Sequence, residues 1–229
     1  MVADERRAEI IAVAERLFNE KGYDNTSIAD IIVSAGIAKG TFYHHFSSKA
    51  ELAESVVTDR LASLRPLYDQ IASRTDLSAV ERLQALFDAS STWKQSNIEF
   101  MVSTVLSMYR DENALVLKRL YQCSIRLFGP YLNAAIREGV EAGEIRVPFP
   151  DRFGEFLLAM FVGVGESQAD LVSASLEEPQ KLYEYAKMVE MIEYSVNLLL
   201  GLPEKTINLG TEEILGQIAA YLEKKEHNR

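Results

Sequence analysis

The sequence predicts an all-α protein made of a small N-terminal module and a larger helical bundle. Apolar residues recur at helical spacing along nearly the whole chain, and no stretch shows the strict alternation of a half-buried strand. Short helical patterns precede Pro66 and longer ones follow it. With 229 residues, of which 48% are hydrophobic, the chain is large enough to bury a core without metal or disulfide support.

The first two predicted helices are separated by a short polar turn. The first ends at Gly22, a residue type that favours a left-handed helix cap. The second begins at the capping box Ser27-x-x-Asp30 and ends at Gly36. The apolar face of the first helix consists of Ile10, Val13, Ala14, Leu17 and Phe18.

A third helical segment follows over residues 38–45, and a fourth begins at the capping box Ser48-x-x-Glu51 and reaches about Leu64. Beyond Pro66, a third capping box, Ser78-x-x-Glu81, opens the next helix. Further helices are expected around 98–109, over 113–142 with a bend near 129–130, after a cap at Asp151, over 181–200 and around 215–222.

The sequence lacks the features that mark several function classes. The chain has no Gly-x-Gly-x-x-Gly, Walker, Gly-x-Ser-x-Gly or His-Glu-x-x-His motif, so no enzyme activity and no cofactor are expected. A single cysteine rules out an internal disulfide, and no Cys/His cluster has metal-binding spacing. The N-terminus has no signal-peptide core and the longest apolar run is short, so we expect a cytoplasmic protein without a membrane partner.

The net charge of −10 argues against nucleic acid, but this charge is uneven. Residues 1–50 hold six basic and seven acidic side chains, so most of the acidity belongs to the rest of the chain. The whole-chain charge therefore says little about the N-terminal module.

The two short helices joined at Gly36 form a candidate helix-turn-helix over residues 27–46. The second helix of such a motif enters the major groove and needs a small start and a polar side. Gly40 permits close approach, and Phe42 and Phe46 can anchor the helix to the core. The side chains that can donate hydrogen bonds are Lys39, Thr41, Tyr43, His44 and His45.

Three stretches at fixed offsets follow the amphipathic first helix: TSIADI (26–31), AGIAKGTFYHHF (35–46) and KAEL (49–52). Together they resemble the N-terminal domain of TetR-type transcriptional regulators. The resemblance implies an N-terminal three-helix DNA-binding domain (4–64) and a C-terminal helical bundle for ligand binding and dimerisation (65–229). It further implies a homodimeric repressor that binds a palindromic double-stranded DNA operator and is released by a small-molecule effector.

The resemblance also implies DNA contacts. It assigns a phosphate contact at a helix N-terminus to Thr26 and Ser27. It assigns contacts with the flanking DNA backbone to His45 and Lys49. The groove-facing residues are Lys39, Gly40, Thr41, Tyr43 and His44. Ala38 stands where the family often has serine, and Ile32 where it has alanine, so a helix cap is expected to be missing and the core to be repacked.

Each assignment has an alternative. Tyr43 can be a packing residue, the lysines ordinary surface residues, and the adjacent histidines a metal site, although neighbours on a helix point about 100° apart. A protein-interaction bundle without DNA binding is a further alternative, but it leaves the polar side of residues 38–45 unexplained.

In the larger bundle, a ligand pocket is expected to be apolar with a few polar groups, as is usual between helices. The candidate pocket residues are Trp93, Met101 and Tyr121, and the alternative is that they are plain core. The candidate dimer-interface residues are Phe156, Met160, Gly163, Val196 and Leu199, and the alternative is that their helices are buried within one subunit.

Overall fold

The computed structural model describes residues 3–102, 109, 113–175 and 177–227. This part of the chain is helical and contains no strand, so the all-α prediction is confirmed. The helices are α1 (Ala3–Lys21), α2 (Ile28–Ala35), α3 (Lys39–His45), α4 (Lys49–Ala62), α5 (Arg65–Ala72), α6 (Ala79–Ser96), α7 (Ala114–Glu141), α8 (Phe153–Ala174), α9 (Lys181–Leu199) and α10 (Thr211–His227).

The chain forms two compact units. The first contains residues 1–62 together with 99–122, and the second contains 63–98 together with 123–229. The sequence placed the domain boundary between residues 64 and 65. This is close to residue 62, after which the chain first passes from the first unit to the second. It did not anticipate that residues 99–122 group with the N-terminal helices, because they lie far from them in sequence.

The predicted helix ends of the first unit agree with the structure. Ser27 and Asp30 make the reciprocal hydrogen bonds of a capping box, and Gly36 closes α2 with φ 61°. Gly22, after α1, has φ 82°. These left-handed conformations cost glycine little energy because it has no Cβ atom. Helix α2 therefore begins and ends, and helix α1 ends, where local chemistry favours it.

The first unit is held together by one apolar core. Helix α1 packs against α2 and α4. Phe100 and Leu120, from the 99–122 segment, are buried in this same core. The largest fully buried side chains of the unit are Phe18, Phe42, Phe46, Ile10, Ile31 and Leu52. The core therefore recruits side chains from both stretches of the unit.

In the second unit, α8 packs along α9, and α10 packs against both α9 and α6. The capping box Ser78–Glu81 at the start of α6 is confirmed. Pro130 lies inside the continuous helix α7. Of the helix predicted around 98–109, only one turn (Ile98–Phe100) and its flanking residues are seen, and Val105 and Leu106 lie outside the described residues.

The prediction that Asp151 caps α8 is wrong. Asp151 lies in a 3-10 turn, Pro150–Arg152, and the helix begins after it. The cap comes from Asn133 of α7, whose Oδ1 accepts hydrogen bonds from the backbone N–H groups of Gly154 (2.8 Å) and Glu155 (3.3 Å). A side chain from another helix thus satisfies amides that local sequence leaves open.

Within the described residues, one helical stretch, Pro150–Ala174, is long and apolar enough by composition to cross a membrane. Core helices of soluble proteins meet the same criterion, and this stretch packs along α9. Only 22% of its most apolar 18-residue window is buried, so much of its apolar surface faces outward.

Candidate nucleic-acid interface

The turn between α2 and α3 is tight. Gly36 and Ile37 donate backbone hydrogen bonds to the carbonyls of Val33 and Ile32, both at 3.2 Å. Only Gly36, Ile37 and Ala38 separate the two helices. This is the compact connection that a helix-turn-helix requires.

Helix α3 has one face fixed in the core. Phe42 is 0% exposed and Phe46 is 1% exposed. Phe42 lies on α3, Phe46 directly follows its last residue, and the centres of their rings are 6.0 Å apart on the same side. The guanidinium of Arg7, on α1, lies 5.1 Å from the centre of the Phe46 ring. The buried rings determine which side of α3 is left for a ligand.

The opposite side of α3 is exposed and polar. Lys39, Gly40, Tyr43 and His44 are exposed, and Thr41 is half-buried. The position that a Cβ would take at Gly40 has no atom within 4 Å, so the surface is open there. The groove-facing residues predicted from the sequence therefore lie on one accessible surface, which we call the α3 surface (Lys39, Gly40, Thr41, Tyr43 and His44).

Tyr43 combines a packed ring with substantial exposure. Its ring meets Phe42 edge to face at 5.3 Å, while 47% of the residue remains exposed. The Lys39 ammonium lies 6.0 Å from the centre of the same ring, at the outer limit of a cation–π contact. Tyr43 thus combines both expectations. It packs against a core ring, which was the alternative, and it keeps the exposure expected of a groove residue.

The two histidines at the end of α3 differ in exposure. His44 is exposed and His45 is half-buried, with the ring centres 5.0 Å apart. The described residues include no group of three His, Cys, Asp or Glu side chains placed to hold a metal ion. Imidazoles at this position are available as hydrogen-bond donors to an anion.

The start of α3 lacks a side-chain cap. Ala38 is the N-cap residue, has extended backbone geometry and makes no side-chain hydrogen bond. The prediction of a missing cap is confirmed. Ile32, the second departure, packs half-buried against the core of the first unit.

The structure contradicts the phosphate contact predicted for the Thr26 side chain. Thr26 is 0% exposed, and its hydroxyl donates to the carbonyls of Gly22 (2.8 Å) and Leu17 (3.3 Å). The Leu17 carbonyl lies near the end of α1 and the Gly22 carbonyl directly after it, where helix acceptors need partners. Thr26 therefore holds the α1–α2 turn in place.

Ser27 is exposed, but its hydroxyl is already engaged. It donates to the Asp30 carboxylate at 2.7 Å and accepts from the Asp30 backbone N–H at 3.1 Å. The hydrogen bonds from the Ser27 hydroxyl and backbone N–H lower the pKa of Asp30. Lys21 lies 3.6 Å from the same carboxylate. A phosphate at this position meets an ionised carboxylate.

Lys49 is also engaged within the protein. Its ammonium donates to the Tyr23 carbonyl at 3.0 Å and lies 4.2 Å from the centre of the Tyr23 ring. The side chain is half-buried and ties α4 to the α1–α2 turn. The expected contact of Lys49 with flanking DNA is therefore not the role that this geometry supports.

Arg7 makes contacts that the sequence pattern did not predict. Besides covering Phe46, Arg7 donates to the Ser55 hydroxyl at 2.8 Å. The contact joins α1 to α4 across a separation of 48 residues. No local pattern signals such a contact.

The candidate pocket residues do not share a unit. Trp93 is half-buried in the second unit, whereas Met101 and Tyr121 are half-buried in the first. Their role in binding a ligand stays a prediction.

The candidate dimer residues are split between surface and interior. Phe156 and Leu199 are exposed, and the position that a Cβ would take at Gly163 has no atom within 4 Å, whereas Met160 is half-buried. Val196 is 0% exposed, so it packs inside the second unit and is unavailable to a partner. The exposed apolar side chains of α8 and α9 are Phe156, Tyr183, Met191, Tyr194, Leu198 and Leu199.

Comparison with known proteins identifies the helix-turn-helix. Residues 10–56 match the family described as bacterial regulatory proteins, tetR family. The helix-turn-helix region of this chain is therefore of the tetR type. The match covers α2, α3 and the turn between them, which is the part of the molecule that carries the α3 surface.

Curated relatives that this chain matches include the repressor KstR2 of Mycolicibacterium smegmatis. That protein is 42% identical over 85 residues, which are 37% of this chain and 41% of the relative. The chain thus spans about two fifths of the length of the first curated relatives it matches. The repressor DhaR of a Mycobacterium species is 28% identical over 160 residues, covering 69% of this chain and 79% of DhaR.

Solved structures share the fold over nearly the whole chain. A structure of RolR with resorcinol has a TM-score of 0.56 and 18% identity, covering 95% of this chain and 94% of RolR. A structure of FadR from Bacillus subtilis with stearoyl-CoA also has a TM-score of 0.56, with 16% identity, covering 92% of this chain and 96% of FadR. At these identities the likeness concerns the fold alone.

Proposed function

We propose that the protein is a sequence-specific DNA-binding transcriptional repressor. The observation that carries the proposal is the two-sidedness of α3. Phe42 and Phe46 are buried, while Lys39, Tyr43 and His44 are exposed on the other side of the same short helix. A recognition helix needs this arrangement because its core side sets its orientation and its polar side contacts base edges and phosphates. The relatives KstR2 and DhaR are described as repressors, which supports the direction of regulation.

The test is binding to duplex DNA fragments from the region beside the protein's own gene. We expect Lys39→Ala and Tyr43→Ala each to weaken specific binding by roughly tenfold or more, since one good contact contributes about 1–3 kcal/mol. The matched controls are Lys118→Ala and Phe149→Ala, which remove an exposed lysine and an exposed aromatic ring outside α3, α8 and α9. Equal binding by the parent and the two α3 variants contradicts the proposal.

We propose that the protein acts as a homodimer on a palindromic operator. Two recognition helices must lie about 34–36 Å apart to enter successive major grooves, which one copy with one α3 cannot achieve. The exposed apolar side chains of α8 and α9 supply a face that a second copy covers. The open surface at Gly163 allows a partner helix to approach closely.

Sedimentation velocity tests the dimer. Phe156→Asp and Leu198→Asp place a charge on the exposed α8–α9 face, and we expect each to shift the protein towards monomer. Leu67→Asp places the same charge on a partly exposed leucine of α5 and serves as the control. A dimer that tolerates both α8–α9 variants rules out this face as the interface.

We propose that a small molecule releases the protein from DNA. Such an effector must bind more tightly to a dimer whose recognition helices no longer fit successive grooves. RolR and FadR carry resorcinol and stearoyl-CoA in their structures, so this fold accepts organic ligands in those proteins. Trp93 is the only tryptophan, and its fluorescence can report binding in the second unit. Compounds that change this emission without changing DNA affinity contradict the release mechanism.

A further inference from the structure

We propose that protonation of His44 and His45 strengthens DNA binding, so that the affinity of this protein for DNA rises as the pH falls. The proposal rests on the proposed function, since it concerns the charge of the α3 surface. It follows from which basic side chains of the first unit already have a partner within the protein and which do not face a carboxylate.

In the described part of the first unit, five of the nine lysine and arginine side chains are paired with carboxylates. The ion pairs are Arg6–Glu9, Arg16–Glu20, Lys21–Asp30, Arg60–Glu15 and Arg119–Glu54. Arg7 and Lys49 are engaged with Ser55 and with the Tyr23 carbonyl. A cation that already faces a carboxylate gains less from a phosphate, because the existing pair must be weakened first.

Lys39 is the permanent cation of α3. The helix, Lys39–His45, contains no acidic residue. Among the described residues, Lys39 has no carboxylate within ion-pair distance, and its nearest ring partner is Tyr43. With neutral imidazoles, each recognition helix therefore brings a single positive side chain to a strongly anionic duplex.

His44 and His45 are the groups that can change this charge. Imidazole is the side chain that ordinarily changes charge between about pH 5 and 8. Two of the three histidines of the chain stand side by side on α3. Protonation of both raises the side-chain charge of α3 from +1 to +3, and in a dimer this gain is made twice.

The surroundings leave room for that change. Of the charged groups on α3 and its neighbours, Lys39 lies on α3 itself beside Tyr43, Arg7 of α1 covers the ring of Phe46, and Glu51 lies in the first turn of α4. Glu51 accepts hydrogen bonds from the Ser47 backbone and hydroxyl. On α2 the acidic residue is Asp30, which is paired with Ser27 and Lys21. In the part of the chain that is described, neither imidazole has an ion-pair partner of its own, so phosphate oxygens are the anions that its proton can meet.

The sign of the effect follows from linkage. A group that binds protons more tightly in the DNA complex than in the free protein takes up protons on binding, so affinity grows as pH decreases. Each added cation near phosphate also releases a counterion, which steepens the salt dependence by about 0.9 in log Kd against log salt. The exposed His44 contributes the larger share, because the half-buried His45 has less access to DNA.

The experiment measures Kd by fluorescence anisotropy at constant ionic strength, at about pH 7.5 and about pH 6.0. Two duplexes are used: one of random sequence, and the fragment beside the protein's own gene. The variants are His44→Gln, His45→Gln, the double variant and His44→Lys. His227→Gln, outside α3, is the control. Thermal melting at both pH values confirms that each variant is folded.

We expect the parent and His227→Gln to bind about tenfold more tightly at the lower pH, and the double glutamine variant to change less than about twofold. His44→Lys should bind at the higher pH about as the parent binds at the lower one. A pH effect that persists in the double variant, or a parent whose binding does not depend on pH, overturns the proposal while leaving DNA binding intact. Failure to bind either duplex at low salt at both pH values overturns the proposed function itself.

Discussion

The guanidinium carbon of Arg60 lies 3.9 Å from the centre of the Phe100 ring. The same side chain donates from Nε to the Glu15 carboxylate at 2.6 Å and from Nη2 to Asn19 at 3.3 Å. Arg60 of α4 thus joins α1 to the 99–122 segment within the first unit. This contact ties part of the later chain to the core that also holds the buried side of α3.

Replacement of Arg60 by alanine is expected to destabilise the first unit by about 2 kcal/mol, because a desolvated cation–π contact and a partly buried ion pair are lost together. Urea unfolding followed by far-UV circular dichroism measures the change. Arg16→Ala is the matched control, since it removes the exposed pair with Glu20 and should cost about 0.5 kcal/mol or less. Equal effects of the two variants would contradict the bridging role of Arg60.

Phe100→Ala is expected to cost about 3–5 kcal/mol, because the ring is 2% exposed in the core and its removal leaves a cavity. Phe149→Ala removes a ring that is 80% exposed and should change stability by less than about 0.5 kcal/mol. The two variants are compared by urea unfolding. Trp93 fluorescence follows the second unit, so Phe100→Ala should move the circular dichroism transition further than the fluorescence transition. Identical shifts would argue against the assignment of Phe100 to the first unit.

Glu51→Gln should lower stability at neutral pH but not in acid. The side-chain and backbone hydrogen bonds from Ser47 hold the pKa of Glu51 below its ordinary value of 4.5. A lowered folded pKa means that the carboxylate stabilises the folded state fully above about pH 4.5, and that this contribution is lost as the pH falls through the folded pKa. We expect a difference of about 1 kcal/mol from the parent at pH 7, the usual contribution of a helix cap, and convergence in acid.

Thermal melting of Glu51→Gln and the parent across this pH range checks the prediction. Asp59→Asn, at an exposed position of α4, is the control and should run parallel to the parent. A stability difference that stays constant down to acid pH would show that the charge of Glu51 is not responsible.

Gly154→Ala should be strongly destabilising. A Cβ at this position would lie 2.5 Å from Leu132 Cβ and 2.7 Å from the Asn133 backbone nitrogen, so α7 and α8 would have to separate. We expect a loss of about 2 kcal/mol or more in urea unfolding followed by Trp93 fluorescence. Gly216→Ala in α10, where no atom lies within 4 Å, should be neutral or stabilising by up to about 1 kcal/mol. Tolerance of Gly154→Ala would mean that the two helices are not in close contact.

The helix-turn-helix is predictable from the sequence because its determinants are local. Ser27 and Asp30 cap each other across three residues, and Gly36 adopts the left-handed geometry that ends α2. Phe42 and Phe46 are four residues apart, a spacing from which helical periodicity predicts one shared side, and both rings are buried. The polar residues between them are then left on the other side.

The local sequence pattern does not predict the role of a side chain whose hydrogen-bond partner lies elsewhere in the chain. Thr26 and Lys49 resemble DNA-contacting residues by position, yet their hydrogen-bond partners are the carbonyls of Gly22 and Tyr23 in the α1–α2 turn. Asn133 caps α8 from α7, a contact across 21 residues that displaced the nearer candidate Asp151. Spacing along the chain carries no signal for contacts of this kind.

The sequence by itself determined the helical class, the helix-turn-helix and the composition of the α3 surface, because periodicity, caps and glycine turns act within a few residues. Only the tertiary structure decided that Phe100 and Leu120 complete the first core, that Val196 is interior, and which basic side chains are committed to carboxylates. Burial and ion pairing depend on which helices are in contact. Those contacts result from the packing of the whole unit and not from the sequence of any one helix.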